Sequence, residues 1–407
     1  MARLAVLSFH TSPLTQAGTG DGGGMNVYVR ELAAALARRG DEVDVFTRLE
    51  APSEAPIVDV EPGVRVHRVP AGPPRLLDKD DLVDHVDTFT QGVLSRMLES
   101  PDCYRAIHAN YWLSGIAGHA LKHELDVPLL MTFHTVERIK GGAHADASSD
   151  RAAAEDAIVA CADAVLASCD VEAAQLSSVL GVDPDRVAVV PLGVDHAFFG
   201  PGDRTQARRA LGIDADGPLL LFAGRLQELK GADLAIETLG ELARRGGSHR
   251  LVIVGGPSGP GGAAYEAALH EQAADVGHGR IQFVAPQPHE LLSTYYRAAD
   301  ACLVPSRAES FGLVALEASA CGAPVVAADV GGLAALVDPG ATGLLVAERD
   351  PRAWADAVEW VSADPLRSMR LSTAAVLRAQ RYTWRAAATR FDTVVRTVGA
   401  SRLVSCA

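Results

Sequence analysis

Aromatic residues supply only 5% of this 407-residue chain, although hydrophobic residues of all kinds supply 48%. A hydrophobic complement dominated by Ala, Val, Leu and Gly suits helices packed on a parallel sheet better than a β-sandwich. Cysteine is sparse as well: Cys103, Cys161, Cys169, Cys302, Cys321 and Cys406 are scattered without CxxC spacing, and most lie in apolar strings. Disulfides and zinc are therefore not expected, and the six read as small core residues. Basic charge is short, with 37 Lys and Arg against 51 Asp and Glu, for a net charge of −14. That balance argues against nucleic acid or an anionic membrane as partner, and an anionic ligand must then meet local cations. No apolar run reaches the ~18 residues of a spanning helix, and the run 4–9 after Arg3 is too short for a secretory signal core. A cytoplasmic protein is expected. A dinucleotide fingerprint directly after a first strand is also missing: the glycines of 18–24 come only after a long insert, and the second half has no GxGxxG after its first strand, which argues against a dinucleotide oxidoreductase.

What is present is a strand-then-helix rhythm. Length alone favours two domains of roughly 200 residues each. In the first half, strands are predicted at 4–9, 43–46, 106–108, 129–132 and 165–168, with helices at about 25–39 and 151–162. A second series has strands at 219–222, 251–254, 281–284, 301–304, 324–327 and 343–346. The linker falls near 195–205, at the turn signals Gly200-Pro201-Gly202-Asp203. The expected fold class is α/β, with two Rossmann-like doubly wound domains, 1–198 and 199–381, and a cleft between them. A final helix from about 382 is expected to return to the first domain. Such sheets bind ligands at the carboxyl ends of their strands, where loops enter helices.

Three loops carry candidate chemistry. The stretch Glu309-Ser310-Phe311-Gly312-Leu313-Val314-Ala315-Leu316-Glu317 sets two carboxylates around a small-residue turn and an apolar run able to open a helix. Free N–H groups at Ser310, Phe311 and Gly312, with the positive end of the helix dipole, then suit a sugar hydroxyl or a phosphate. Glu309 is placed to take sugar hydroxyls and Glu317, two turns on, a ribose diol; the plain alternative is a surface helix with two ordinary acids. After the first strand of the second half comes Gly224-Arg225-Leu226-Gln227-Glu228-Leu229-Lys230-Gly231. A bidentate guanidinium and a point-charge ammonium together neutralise a diphosphate. The loop after the first strand of the chain runs from His10-Thr11-Ser12-Pro13 to Gly18-Thr19-Gly20-Asp21-Gly22-Gly23-Gly24-Met25-Asn26, and such glycine density lets backbone approach a phosphate closely.

These motifs, with Pro305-Ser306, Glu317-Ala318, Gly331-Gly332 and Gly343-Leu344-Leu345-Val346, resemble the donor domain of family 4 retaining glycosyltransferases of the GT-B fold. The resemblance implies that Arg225 and Lys230 hold a donor diphosphate, Glu309 the donor sugar and Glu317 the nucleotide ribose. Ser310, Phe311, Gly312 and Leu313 complete the donor site, and Gly23 and Gly24 close on the diphosphate. The amino-terminal half, through its glycine loop, Tyr111-Trp112-Leu113-Ser114-Gly115 and His134-Thr135, is similar to a narrower group, the D-inositol 3-phosphate glycosyltransferases of mycothiol synthesis. That similarity implies an acceptor phosphate held by Lys79, Tyr111, Thr135 and Arg151, with Asn26 at the inositol ring and His134 touching the donor sugar. Two cations and two hydroxyl donors converging on a dianion make chemical sense. The segment 140–151 departs from the basic, bulkier pattern of the group, and Gln287 stands where the group carries an arginine. The partners implied are UDP-N-acetylglucosamine and a cyclitol phosphate, with an unphosphorylated aminocyclitol such as 2-deoxystreptamine as the competing acceptor and a sugar-nucleotide epimerase as the competing enzyme. No cofactor and no metal are called for in transfer, and the resemblance leaves room for a homodimer.

Overall fold

The computed structural model describes residues 3–20, 22–99, 103–140, 149–213, 217–259, 261–277 and 279–406. It divides into two compact units, the first made of Met1–Thr15, Gly24–Pro191 and Trp384–Ala407, the second of Gln16–Gly23 and Leu192–Thr383.

In the first unit β1 (Arg3–Leu7), β2 (Glu42–Arg48), β3 (Ile57–Glu61), β4 (Val64–Val69), β5 (Tyr104–Asn110), β6 (Leu129–Thr132), β7 (Ala164–Ala167) and β8 (Val187–Val189) form one sheet. Its order is β3-β4-β2-β1-β5-β6-β7-β8. All neighbours run parallel except β3, which pairs antiparallel with β4. An all-parallel expectation is corrected at that edge, because the connection between β3 and β4 is too short for a crossover and long enough for a hairpin. The 14-residue helix Gly24–Ala37 follows β1 and buries Val27, Tyr28, Val29, Leu32 and Leu36. The helix Trp384–Gly399 completes the unit. Its Phe391 ring lies 5.0 Å from that of His108 and its Trp384 ring 6.2 Å from that of Tyr28. Its Asp392 accepts from Arg105 at 2.8 Å and Arg39 at 3.4 Å.

The second unit holds β9 (Leu219–Ala223), β10 (Arg250–Val254), β11 (Ile281–Val284), β12 (Ala301–Val304), β13 (Val325–Ala328) and β14 (Gly343–Val346), in the order β11-β10-β9-β12-β13-β14. All these pairings are parallel. The central strands β9, β12 and β13 read as unbroken apolar runs because both faces are covered. Leu219, Leu221 and Ala223 point into one core, and Leu220 and Phe222 into the other, as the pleat alternates.

The cysteines are corrected in part. Cys169, Cys302 and Cys321 are buried and stand outside any disulfide. Cys103 is exposed, and Cys161 and Cys406 are joined, with their sulfurs 2.16 Å apart across 245 residues of sequence. Sequence spacing hides this pair because the chain leaves the first unit and comes back before Cys406 is reached. Among the described residues no helix is long and apolar enough to cross a membrane.

Candidate active site

In the second unit the strand order reverses between β9 and β12, where a doubly wound sheet opens a crevice at its carboxyl edge. The two charged loops leave those two strands. Lys230 closes the short turn Glu228–Lys230, and its Nζ lies 2.6 Å from Glu309 Oε2. Ser306 Oγ donates to the same oxygen at 3.4 Å. The Glu309 carbonyl accepts from the Gly332 N–H at 2.9 Å. A Cβ on Gly331 (φ +48°) would stand 2.0 Å from that carbonyl oxygen, and one on Gly332 2.3 Å from the Ser310 carbonyl. Only glycine lets these two backbones lie against each other. The helix Leu313–Ala320 begins directly after Gly312, whose φ is 101°, so Ser310, Phe311 and Gly312 form its entry. Phe311 is buried with its ring 5.9 Å from Tyr382, and Leu313 is half-buried.

Glu317 lies on the same helix, only 6% exposed. Tyr296 Oη donates to its Oε2 at 2.8 Å, and burial pushes the carboxyl up to about 7 while this hydrogen bond pulls the other way. Arg225 donates to Ser258 Oγ at 3.3 Å. Gly23 packs against it so closely that a Cβ there would meet Arg225 Nε at 3.2 Å. The segment Gln16–Gly23 belongs to this unit and is tied down by Gln16 Nε2 donating to the Pro286 carbonyl at 3.2 Å. Gly24 opens the helix Gly24–Ala37 of the first unit.

In the first unit the reversal falls between β1 and β5. Tyr111, directly after β5, has φ 74° and ψ 153°, a region almost closed to residues with a side chain. His134, after β6, has φ 60°. Only three non-glycine residues among those described have positive φ, so two of them fall at candidate positions. Arg151, at the start of the helix Asp150–Cys161, joins three loops. It donates to Tyr111 Oη at 3.3 Å, to the Thr135 carbonyl at 2.8 Å and to Thr135 Oγ1 at 3.2 Å. Its guanidinium carbon lies 5.0 Å from the Tyr111 ring centroid. Two carboxylates balance it, Glu155 at 2.8 Å and Glu137 at 3.1 Å. Burial raises the Tyr111 phenol above its ordinary value, with Arg151 opposing. Lys79, half-buried, stands on a separate element as the first residue of the helix Lys79–Leu82.

Asn26 is 3% exposed, and its amide donates to Thr11 Oγ1 at 2.8 Å and the Ser12 carbonyl at 2.6 Å, fixing the loop after β1. His134 Nε2 lies 2.9 Å from Asn110 Oδ1. Burial pushes the His134 pKa down to about 3, so the ring is neutral near pH 7 and donates from Nε2 to the amide oxygen. Asn110, Glu137, Ser258 and Tyr296 escape sequence reasoning, whereas Ser306 is named only as part of the Pro305-Ser306 motif. Asn110 is flagged only by standing next to Tyr111, and Tyr296 reads like any buried helical tyrosine. The small-residue segment 141–148 lies outside the described residues.

Two α/β units whose charged loops leave the carboxyl ends of parallel strands define the GT-B fold class. The chain belongs to the glycosyltransferases of group 1 and the 4-like type: residues 203–378 match the model described as glycosyl transferases group 1, and residues 23–193 the glycosyl transferase 4-like domain. Among its relatives is the D-inositol 3-phosphate glycosyltransferase of Xylanimonas cellulosilytica, 46% identical over 398 residues, which span 95% of this chain and 94% of the relative. The protein of that name from Nocardia farcinica is 46% identical over 390 residues, 94% of this chain and 86% of the relative. Among solved structures, sucrose-phosphate synthase from Thermosynechococcus elongatus superposes with a TM-score of 0.89 at 34% identity, covering 99% of this chain and 100% of that one. Anabaena HepE, crystallised with UDP and glucose, shares the fold with a TM-score of 0.76 at 20% identity, over 98% of this chain and 100% of its own.

Proposed function

We propose that this glycosyltransferase moves N-acetylglucosamine from UDP-N-acetylglucosamine to 1D-myo-inositol 3-phosphate, the first step of mycothiol synthesis, with retention at the anomeric carbon. The observation that carries the acceptor is the meeting of Arg151, Tyr111 and Thr135 at one point, a cation and two hydroxyls from three loops. These are the partners a phosphate ester wants. Lys79 supplies the second cation and Asn26 faces the inositol ring. The names of the relatives point the same way.

For the donor, Arg225 and Lys230 take the diphosphate with the backbone of Gly23 and Gly24, Glu317 the ribose, and Glu309 the sugar hydroxyls, with Ser310, Phe311, Gly312 and Leu313 beside it. Lys230 rests on Glu309 at 2.6 Å, so donor binding splits this pair, the ammonium turning to phosphate and the carboxylate to the sugar. The acceptor hydroxyl then attacks the anomeric carbon on the face from which the leaving phosphate departs, and a phosphate oxygen accepts its proton. Neutral His134 orients the sugar rather than attacking it. Charge stabilisation by Arg225, Lys230 and the start of the helix Leu313–Ala320 is the main catalytic contribution.

A second reading takes an unphosphorylated aminocyclitol as acceptor. Glu137 favours it, because Arg151 with two carboxylates carries no surplus positive charge for a dianion. Measuring UDP release with 1D-myo-inositol 3-phosphate, myo-inositol and 2-deoxystreptamine in parallel separates the two. Turnover with the phosphate ester alone is expected; turnover with 2-deoxystreptamine alone transfers the assignment, and equal release without any acceptor removes the transferase reading.

A further inference from the structure

Away from both sets of loops, four soft or borderline ligands meet in the first unit. His119 and His123 stand four residues apart in the helix Trp112–Leu125, so their side chains share one face. Cys161 is the last residue of the helix Asp150–Cys161. The two helices approach closely because Gly115 has no side chain; a Cβ there would lie 2.7 Å from Ile158 Cδ1. Cys406 arrives on the segment that follows the helix Trp384–Gly399. The ligand atoms of all four residues lie within 4.8 Å of one another. His123 Nε2 is 2.9 Å from Cys406 Sγ and 3.2 Å from Cys161 Sγ, and His119 Nε2 is 3.5 Å from Cys406 Sγ.

The surroundings hold the fourth ligand in place. Lys122, 3% exposed, donates to the Val404 carbonyl at 2.9 Å, to the Cys161 carbonyl at 2.7 Å and to Asp163 at 2.9 Å. Asp163 in turn accepts the Val404 N–H at 2.7 Å and the Leu129 N–H at 2.8 Å. A buried ion pair thus grips both polar groups of Val404, two residues before Cys406, and binds it to the end of the helix that carries Cys161.

We propose that His119, His123, Cys161 and Cys406, in their reduced form, bind one zinc ion that fastens the segment after Trp384–Gly399 to the first unit. A sulfur–sulfur bond needs no imidazole, whereas here two imidazole nitrogens converge on the same two sulfurs. Two thiolates and two neutral imidazoles balance a divalent charge and supply a Cys2His2 tetrahedron, whose edges run about 3.3–3.8 Å for zinc. Borderline nitrogen and soft sulfur donors favour zinc over magnesium or calcium. Four protein ligands leave no open position, so the site is structural.

The test uses the full chain, stripped of metal by a chelator under reductant and titrated with Co(II) and then Zn(II). One equivalent of cobalt is expected, with the d–d bands of a tetrahedral site and a thiolate charge-transfer band, displaced by zinc with a rise in melting temperature. His123→Ala and Cys406→Ser should each weaken binding by about 100-fold or more while leaving circular dichroism unchanged. Cys103→Ser should bind cobalt as the parent does. Alkylation of the chain purified without reductant counts its free thiols. If Cys161 and Cys406 resist alkylation until reduced, and the reduced chain then takes up no cobalt with a thiolate band, the pair is a disulfide only and the proposal fails. It fails too if His123→Ala binds metal as tightly as the parent, or if Cys103→Ser abolishes binding.

Discussion

At the scale of single residues, the Lys230–Glu309 contact joins the two loops at the β9–β12 reversal. If Lys230 contributes ~3 kcal/mol to the developing diphosphate charge, Lys230→Ala lowers kcat by about 100-fold or more; steady-state kinetics near the parent rate would remove that role. Arg151→Ala and Lys79→Ala should instead raise KM for a phosphorylated acceptor, with KM for the donor nearly unchanged. Glu317 makes a prediction about pH. Its buried carboxyl keeps a proton up to about pH 7, against an ordinary value of 4.5. Raising pH through that interval therefore ionises the unfolded chain more readily than the folded one, and stability falls by about 3 kcal/mol before levelling off above pH 7. Glu317→Gln should flatten the melting temperature between pH 5 and 7.5, as measured by thermal denaturation without ligand.

At the scale of elements, the sites depend on loops pressed against one another. Gly331→Ala drives a Cβ to within 2.0 Å of the Glu309 carbonyl, so the loop carrying Glu309 must shift. Transfer is expected to drop at least tenfold with a loss of a few degrees in melting temperature; an unaffected kcat would show that the loop position does not matter. The central strands are legible in sequence because burial on both faces makes them plain apolar runs, as in β6, β9, β12 and β13. The outer strands of the first sheet are not: β3 is largely exposed, and β8 has three residues, none of them fully buried. Spacing along the chain displays Glu309 and Glu317, since they bracket a small-residue turn and the apolar run that opens the helix Leu313–Ala320. It hides Tyr296, Asn110 and Glu137, whose significance comes from neighbours brought in by packing. Cys161 and Cys406 fail for the same reason, since each looks like a small apolar residue until the fold sets two histidines beside them.

At the scale of the whole molecule, the first unit is discontinuous, and its last helix supplies buried side chains. Trp384, Ala387, Ala388, Phe391 and Val395 are all buried, and Asp392 balances Arg105 and Arg39. A chain truncated after Thr383 should expose that apolar surface and take Asp392 from both arginines, leaving Arg105 with Asp41 alone. Marked loss of soluble protein or a fall of ten degrees or more in melting temperature is expected; a truncated chain melting like the parent would show the helix to be an appendage. The same return of the chain bears on synthesis. Residues 192–383 leave the ribosome as one stretch, whereas the sheet begun by Arg3–Leu7 lacks its closing helix until all of that stretch has been translated. The usual order, in which the unit begun first matures first, is thereby inverted for these two, and the sheet that starts earlier is the later to reach its final state.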